Sequence, residues 1–317
     1  MSLIFSSRTS SVLLNGAPGK VLHCRRGVRQ GDPLSPLLFV LTTDVLQSLL
    51  NHTKEDGRLQ LLILCQHNQD FPILQYADDT LIFMEACDSQ LSELKRHLQV
   101  FSVSTGLKVN YSKSTLVPIN VDDQRTNALA QSFGCEVGSF SFTYLGLPLG
   151  VNKPKVIDCL PLVKKCEQRL LATSAFLLQA GRLEVTNSIF TALSMYFMST
   201  FKLHKTVVKK IDKYRKHYLW RGSDINARSA PKAAWELVRL PKKEGGLGVL
   251  NLETHNDALL LQNLHNFFNR QDIPWVHLIW ESYYNDGSLP SSNKRKGSFW
   301  WKDILKLIDS FEGMAMI

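Results

Sequence analysis

The stretch that most constrains this chain is Leu74-Gln75-Tyr76-Ala77-Asp78-Asp79-Thr80-Leu81-Ile82-Phe83, where two adjacent carboxylates stand between two apolar runs. Residues 71–76 and 80–84 are rich in aromatic and β-branched side chains, which predicts two short strands joined through Ala-Asp-Asp as a hairpin. Side by side, the two aspartates repel one another and resist desolvation, so a folded protein is expected to answer them with a cation. A divalent metal is one such cation. Aspartate is also a good turn former, and a solvated surface turn is the other reading of the same residues.

Composition narrows the context. With 317 residues, 44% hydrophobic and 21% charged, the chain has apolar residues enough for one large or two ordinary domains. A net charge of +9 and a pI near 9.2 favour an anionic partner such as nucleic acid. The six cysteines, at 24, 65, 87, 135, 159 and 166, contain no C-x-x-C pair, so neither a zinc site nor a disulfide framework is expected and a reducing compartment fits best. The most apolar run, residues 34–50, is interrupted by Pro36, Thr42, Thr43 and Asp44, which predicts a core helix and no membrane span. Residues 1–31 hold Arg8, Lys20, Arg25, Arg26 and Arg29 and no acid, superficially like a transit peptide, but the motifs that follow assign the region to a fold.

In chain order, residues 10–14 and 20–24 flank Asn15-Gly16 and predict an opening hairpin. Asp32-Pro33 then marks a helix start, and apolar residues at 34, 37, 38, 41, 45, 46 and 49 predict a helical stripe ending before a polar loop at 51–57. Gly27 and Gly31 bracket a loop with three arginines that either engages phosphate or simply caps the helix. A strand is expected at 59–64. Asp88 opens a helix stopped by Gly106, residues 107–110 and 115–119 read as strands around Lys113, and Asp122 or Asp123 opens a helix ending at Gly134. A glycine-punctuated hairpin follows at 142–150. Strands and helices mix without a βαβ repeat, so the fold class is α+β.

Beyond Gly150 the periodicity is helical, at 156–178, 182–199 after Gly181, and 206–221. Residues 202–221 carry Lys202, Lys205, Lys209, Lys210, Lys213, Arg215, Lys216 and Arg221 against the single acid Asp212, with Tyr214, Tyr218 and Trp220 between them. One-signed charge interleaved with aromatics reads as a nucleic-acid contact or as a solvated helix face. Turn-rich residues 241–249, a helix at 252–268, a polar linker at 285–297 and a last helix at 299–311 complete the chain. His255 and His265 are expected to be solvent-facing or packed.

Taken together, Arg29-Gln30-Gly31-Asp32-Pro33-Leu34-Ser35-Pro36, Tyr76-Ala77-Asp78-Asp79, Thr105-Gly106-Leu107-Lys108-Val109-Asn110 with Lys113-Ser114, and Tyr144-Leu145-Gly146-Leu147-Pro148-Leu149-Gly150 resemble, in order, the palm motifs of reverse transcriptases of non-LTR (LINE-type) retrotransposons. Ala180-Gly181-Arg182-Leu183, Leu219-Trp220-Arg221-Gly222, Trp235 and Gly245-Gly246-Leu247-Gly248-Val249 are similar to the region after the palm in plant elements. The resemblance implies a partial palm over 1–150, an antiparallel sheet with packed helices, followed by a basic helical thumb over 151–223 and a C-terminal connector and helical region over 224–317. It implies catalysis by Asp78 and Asp79 as Mg2+ ligands of a two-metal site, with Lys113 assisting the departing pyrophosphate. Arg29, Gln30 and Gly31 would line the incoming nucleotide and template. Tyr144, Leu145 and Gly146 would form the primer grip, and Lys209, Lys210, Lys213 and Lys216 would hold the backbone of an RNA template and DNA primer, with dNTP as substrate. The sequence leaves the localisation open; the resemblance implies nucleus or cytoplasm.

One departure stands out. The family places a further aspartate upstream of the Arg-Gln-Gly loop, whereas the first acid here is Asp32, which the helix start uses. The resemblance therefore implies an N-terminally truncated palm without fingers, unable to polymerise as given, with exposed apolar surface and poor solubility. The alternatives are a non-catalytic nucleic-acid-binding protein using the basic thumb and a group II intron maturase-like protein; Gly245 to Val249 favour the retrotransposon type.

Overall fold

The computed structural model describes residues 9–23, 31–59, 73–172, 177–224, 226, 228–291 and 296–315. These fall into two compact units, one ending at Gly138 and one starting at Ser139. The strand expected at 59–64 lies, from residue 60 on, outside the described residues, as do Phe71 and Pro72.

The first unit opens with nested antiparallel pairs: β1 (Thr9–Ser10) with β4 (Leu22–His23), and β2 (Leu13–Leu14) with β3 (Ala17–Pro18). Asn15 and Gly16 take φ 49° and 82° at the turn, the left-handed pair a tight hairpin demands. Helix α1 (Leu34–Glu55) begins where Asp32 Oδ1 accepts the Leu34 N–H at 2.9 Å, just after Pro33. It continues through residues 51–55, which composition reads as loop. The polar side chains there bond within the helix: Gln47 Nε2 donates to Asn51 Oδ1 at 3.0 Å and Thr53 Oγ1 to the Leu49 carbonyl at 2.7 Å.

The apolar stripe of α1 is not the core face it predicts. Leu46, Leu50 and Thr53 are buried, whereas Leu37, Val40 and Leu41 are 60%, 60% and 61% exposed. Its 22 residues and mean hydropathy of 1.3 match the length and apolarity of a membrane span, and its buried residues are confined to the C-terminal half. The packing partners are α2 (Asp88–Thr105), through Leu91, Leu94, Leu98 and Phe101, and Leu129 of α3 (Asp123–Phe133). Asp88 is the first residue of α2 and not its cap, which is Cys87; Asp122 caps α3 by accepting the Arg125 N–H at 2.9 Å. Gly106 and Gly134 end the two helices at φ 79° and 91°.

Residues 107–110 are not a strand. Asn110 draws the chain into a 3-10 turn, Tyr111–Lys113, by accepting from Ser112 Oγ at its side chain and from Ser114 Oγ and the Lys113 N–H at its carbonyl. The strand expected at 115–119 reduces to β7 (Thr115–Leu116), paired in parallel with β8 (Glu136–Val137). Between α1 and α2 lies the hairpin β5 (Ile73–Tyr76) and β6 (Asp79–Ile82).

The second unit begins with the hairpin β9 (Ser141–Tyr144) and β10 (Leu147–Gly150) and is then helical: α4 (Leu160–Ala172), α5 (Gln179–Val185), a π-helical stretch Thr186–Phe190, α6 (Thr191–Thr200), α7 (Lys205–Arg221), α8 (Trp235–Arg239), α9 (Leu252–Phe268), α10 (Pro274–Tyr283), α11 (Phe299–Ile304) and α12 (Ile308–Ala315). Gly181 lies inside α5 and does not break the helix as expected; a Cβ there would lie 3.3 Å from the Leu177 side chain. Helix α10 was not anticipated, although Pro274 in its first turn is a start signal.

Buried polar groups tie these helices together. Asn256 of α9 accepts the Leu203 N–H at 2.8 Å and donates to the carbonyls of Met198 and Phe201 at 2.7 and 3.0 Å. Arg215 of α7, fully buried, donates to Asp212 at 2.7 Å, Thr191 Oγ1 at 3.1 Å and the Leu250 carbonyl at 3.0 Å. Burial disfavours its charge and Asp212 answers it.

The exposed half of α1 yields a measurable expectation. Leu37→Gln with Leu41→Gln, both helix-compatible, should lower binding of a hydrophobic dye and aggregation of the purified chain while changing stability by no more than about 0.5 kcal/mol. A large loss of stability would place these side chains in the core.

Candidate active site and basic helix

The β5–β6 register pairs Ile73 with Ile82, Leu74 with Leu81, Gln75 with Thr80 and Tyr76 with Asp79. Because side chains alternate along a strand, Ile73, Gln75, Thr80 and Ile82 share the face that enters the core, where Ile73 is buried and Ile82 packs. Leu74, Tyr76, Asp79 and Leu81 share the other. Tyr76 is 64% exposed on that face, and Asp78 and Asp79 are both exposed. Ala77 and Asp78 make a two-residue turn in which Ala77 holds φ 52°, a left-handed conformation that a residue with a Cβ adopts at a cost of roughly 1–2 kcal/mol.

Neither carboxylate has a hydrogen-bond or ion-pair partner among the described residues. Carboxylate oxygens free of a competing ammonium or guanidinium suit a hard divalent cation such as Mg2+. Among the described residues no group of three His, Cys, Asp or Glu converges on one point.

Of the other predicted site residues, Arg29 and Gln30 lie outside the described residues, while Gly31 is exposed at φ 84° directly before the Asp32 that starts α1. Lys113 is exposed at the end of the 3-10 turn, whose Tyr111 ring meets Phe133 edge-on at 5.3 Å under the Lys95 ammonium. No hydrogen bond or ion pair joins Lys113 to Asp78 or Asp79 among the described residues. Tyr144 ends β9 and Leu145 and Gly146 form the β9–β10 turn in the second unit, at φ 50° and 79°, with Leu147 anchoring the hairpin in that unit's core.

The four predicted lysines of α7 divide. Lys209, Lys213 and Lys216 recur every three or four residues and line one groove with Trp220. Lys210, exposed, points elsewhere on the helix and does not line it. Trp235 and Arg239 of α8 line the same groove; Arg239 was not singled out in the sequence, where the short amphipathic run 235–239 was its available signal.

Comparison with known proteins accords with this geometry. Residues 3–149 match the family described as reverse transcriptase (RNA-dependent DNA polymerase). The chain is 44% identical over 68 residues to an uncharacterized mitochondrial protein of Arabidopsis thaliana, covering 22% of this chain and 56% of that one. It is 29% identical over 260 residues, 80% of this chain and 23% of the other, to the retrovirus-related Pol polyprotein from the type-2 retrotransposable element R2DM of Drosophila melanogaster. Over 289 residues, 90% of this chain and 21% of the other, it is 22% identical to the transposon TX1 149 kDa protein of Xenopus laevis. Residues 3–149 are thus similar to a reverse-transcriptase segment, and most of the chain is similar to proteins of retrotransposable elements. It spans about half the length or less of these relatives.

The turn itself is testable. Ala77→Gly should stabilise the protein by about 0.5 kcal/mol, the left-handed cost of roughly 1–2 kcal/mol less the roughly 0.5–1 kcal/mol of glycine entropy. Ala77→Val should destabilise it. Denaturant titration of both variants checks the pair, and stabilisation by valine would contradict the left-handed turn.

Proposed function

We propose that this chain is a nucleotidyl-transfer segment of a non-LTR retrotransposon reverse transcriptase, with the palm over 1–150, the thumb over 151–223 and a connector and helical region over 224–317. The observation that carries it is the β5–β6 hairpin, which presents Asp78 and Asp79, unpaired among the described residues, on the face away from the core within the matched segment. Asp78 and Asp79 would hold Mg2+, which supplies charge stabilisation to the attacking and leaving oxygens of an in-line displacement at the α-phosphate. Arg29, Gln30 and Gly31 line the dNTP and template. Lys113 donates a proton or positive charge to the departing pyrophosphate. Tyr144, Leu145 and Gly146 position the primer end, and the lysines of α7 hold the RNA–DNA backbone by charge-assisted contacts.

Two carboxylates leave the cation site incomplete, and among the described residues no third converges. The 317-residue polypeptide on its own therefore binds primer–template without extending it. Primer extension on an RNA template with dNTPs and Mg2+ or Mn2+ is the test. The expected result is synthesis no greater than that of Asp78→Asn, alongside retained binding of primer–template. Robust synthesis abolished by Asp78→Asn would keep the polymerase assignment and overturn the inactivity. Failure to bind primer–template at low salt would remove both.

A further inference from the structure

Helix α1 is apolar on the side where a surface helix is polar. At about 100° per residue, Leu34, Leu37, Val40, Leu41 and Val45 fall in one arc opposite the buried Leu46, Leu50 and Thr53, and all five are exposed. We propose that this stripe is the interface of a twofold homodimer, in which α1 pairs antiparallel with α1 of a second copy. The proposal is independent of the polymerase reading, which concerns the hairpin carboxylates and α7.

The spacing selects a helix as partner. Leu34, Leu37 and Leu41 recur at intervals of three and four, the seam along which side chains of one helix seat between those of another, and Val45 carries it one turn further. The chemistry favours a second copy over a lipid surface. A helix that lies on a membrane sets basic residues beside its apolar face, whereas residues 34–51 contain neither Lys nor Arg and carry the single charge of Asp44. An uncharged apolar stripe is complementary to itself, which is what a twofold interface requires, and a twofold contact closes at the dimer.

Charge sets the direction of the pair. Asp44 lies in the same arc, exposed, and makes no hydrogen bond or ion pair among the described residues. In a parallel pair it would meet Asp44 of the second copy. In the antiparallel pair Leu37 faces Leu41 and Leu34 faces Val45, so Asp44 comes beside the N-terminus of the opposite helix. The first turn there holds no acid of its own, and its unpaired N–H groups favour an anion. The five apolar side chains expose roughly 450 Å2 per copy, and with Asp44 and Ser48 the pair removes roughly 1,000–1,200 Å2 from water in total, the lower edge of specific interfaces. The dimer is therefore concentration-dependent, with micromolar affinity.

Sedimentation equilibrium of the full 317-residue chain, from low to high micromolar concentration, is the test. The wild-type chain should pass from monomer to a dimer plateau. Leu37→Glu with Leu41→Glu, and separately Leu37→Lys with Leu41→Lys, should each stay monomeric with a cooperative melt, and an equimolar mixture of the two should recover the dimer. Val103→Glu, which charges an apolar side chain of α2 that is 88% exposed, should leave the dimer unchanged. Asp44→Asn should weaken it about threefold to tenfold through the loss of two contacts between a carboxylate and a helix terminus. A chain that stays monomeric, one that grows past the dimer without a plateau, or a dimer that survives the glutamate pair would overturn the proposal. So would association strengthened by Asp44→Asn, the mark of a parallel pair, or a monomer that instead binds phosphatidylcholine vesicles through α1. Asp78→Asn should leave the dimer unchanged, so failure here is distinct from failure of the polymerase reading.

Discussion

The period-two alternation of a strand, pinned at one end by Ile73 and Ile82, decides where this protein keeps its two least comfortable charges. With those two isoleucines in the core, Tyr76 and Asp79 face outward, and the two-residue turn at Ala77 and Asp78 sets the second carboxylate beside the first. A one-residue slip would carry Asp79 toward the core and Ile73 into water, so the apolar anchors guarantee the position of the acids. The left-handed Ala77 is the strain accepted to keep the turn this short.

The second unit rests on a different device, polar groups buried with their partners supplied. Arg215 joins α7 to the start of α6 and to the backbone at Leu250, and Asn256 fastens α9 to the connection between α6 and α7. Removing either partner of the Arg215–Asp212 pair leaves a buried charge, which is far more destabilising than the pair is stabilising. The same pair consumes the one acid within the basic run, and so leaves the α7 lysines electrostatically unopposed on their own helix.

Much of this was legible in the residues. The Asp-Asp hairpin, the Asn-Gly and Leu-Gly turns, the Gly106 and Gly134 helix stops and the bounds of α9 follow from local chemistry that acts within a few residues. The motifs were legible for the same reason, being short and ordered, and the match of residues 3–149 accords with them. What local chemistry did not give was long-range. The apolar residues of the first half of α1 look identical to those of the second half, and only tertiary packing separates Leu46 from Leu41. Hydrogen bonds to Asn110 set a 3-10 turn at Tyr111–Lys113 directly after the strand-like run 107–110, which stays irregular. The split of Lys210 from its three neighbours needed the position of α8, which no periodicity within α7 contains.

The claim on which the account turns is that Asp78 and Asp79 are a cation-binding element and not a solvated turn. A Mn2+ titration of the 317-residue chain followed by electron paramagnetic resonance, repeated on Asp78→Asn and Asp79→Asn, addresses it directly. The account predicts weak binding, with a Kd of about 10⁻⁴–10⁻³ M as befits an open site with few carboxylates, lost in both variants. Binding unchanged by either substitution would contradict it.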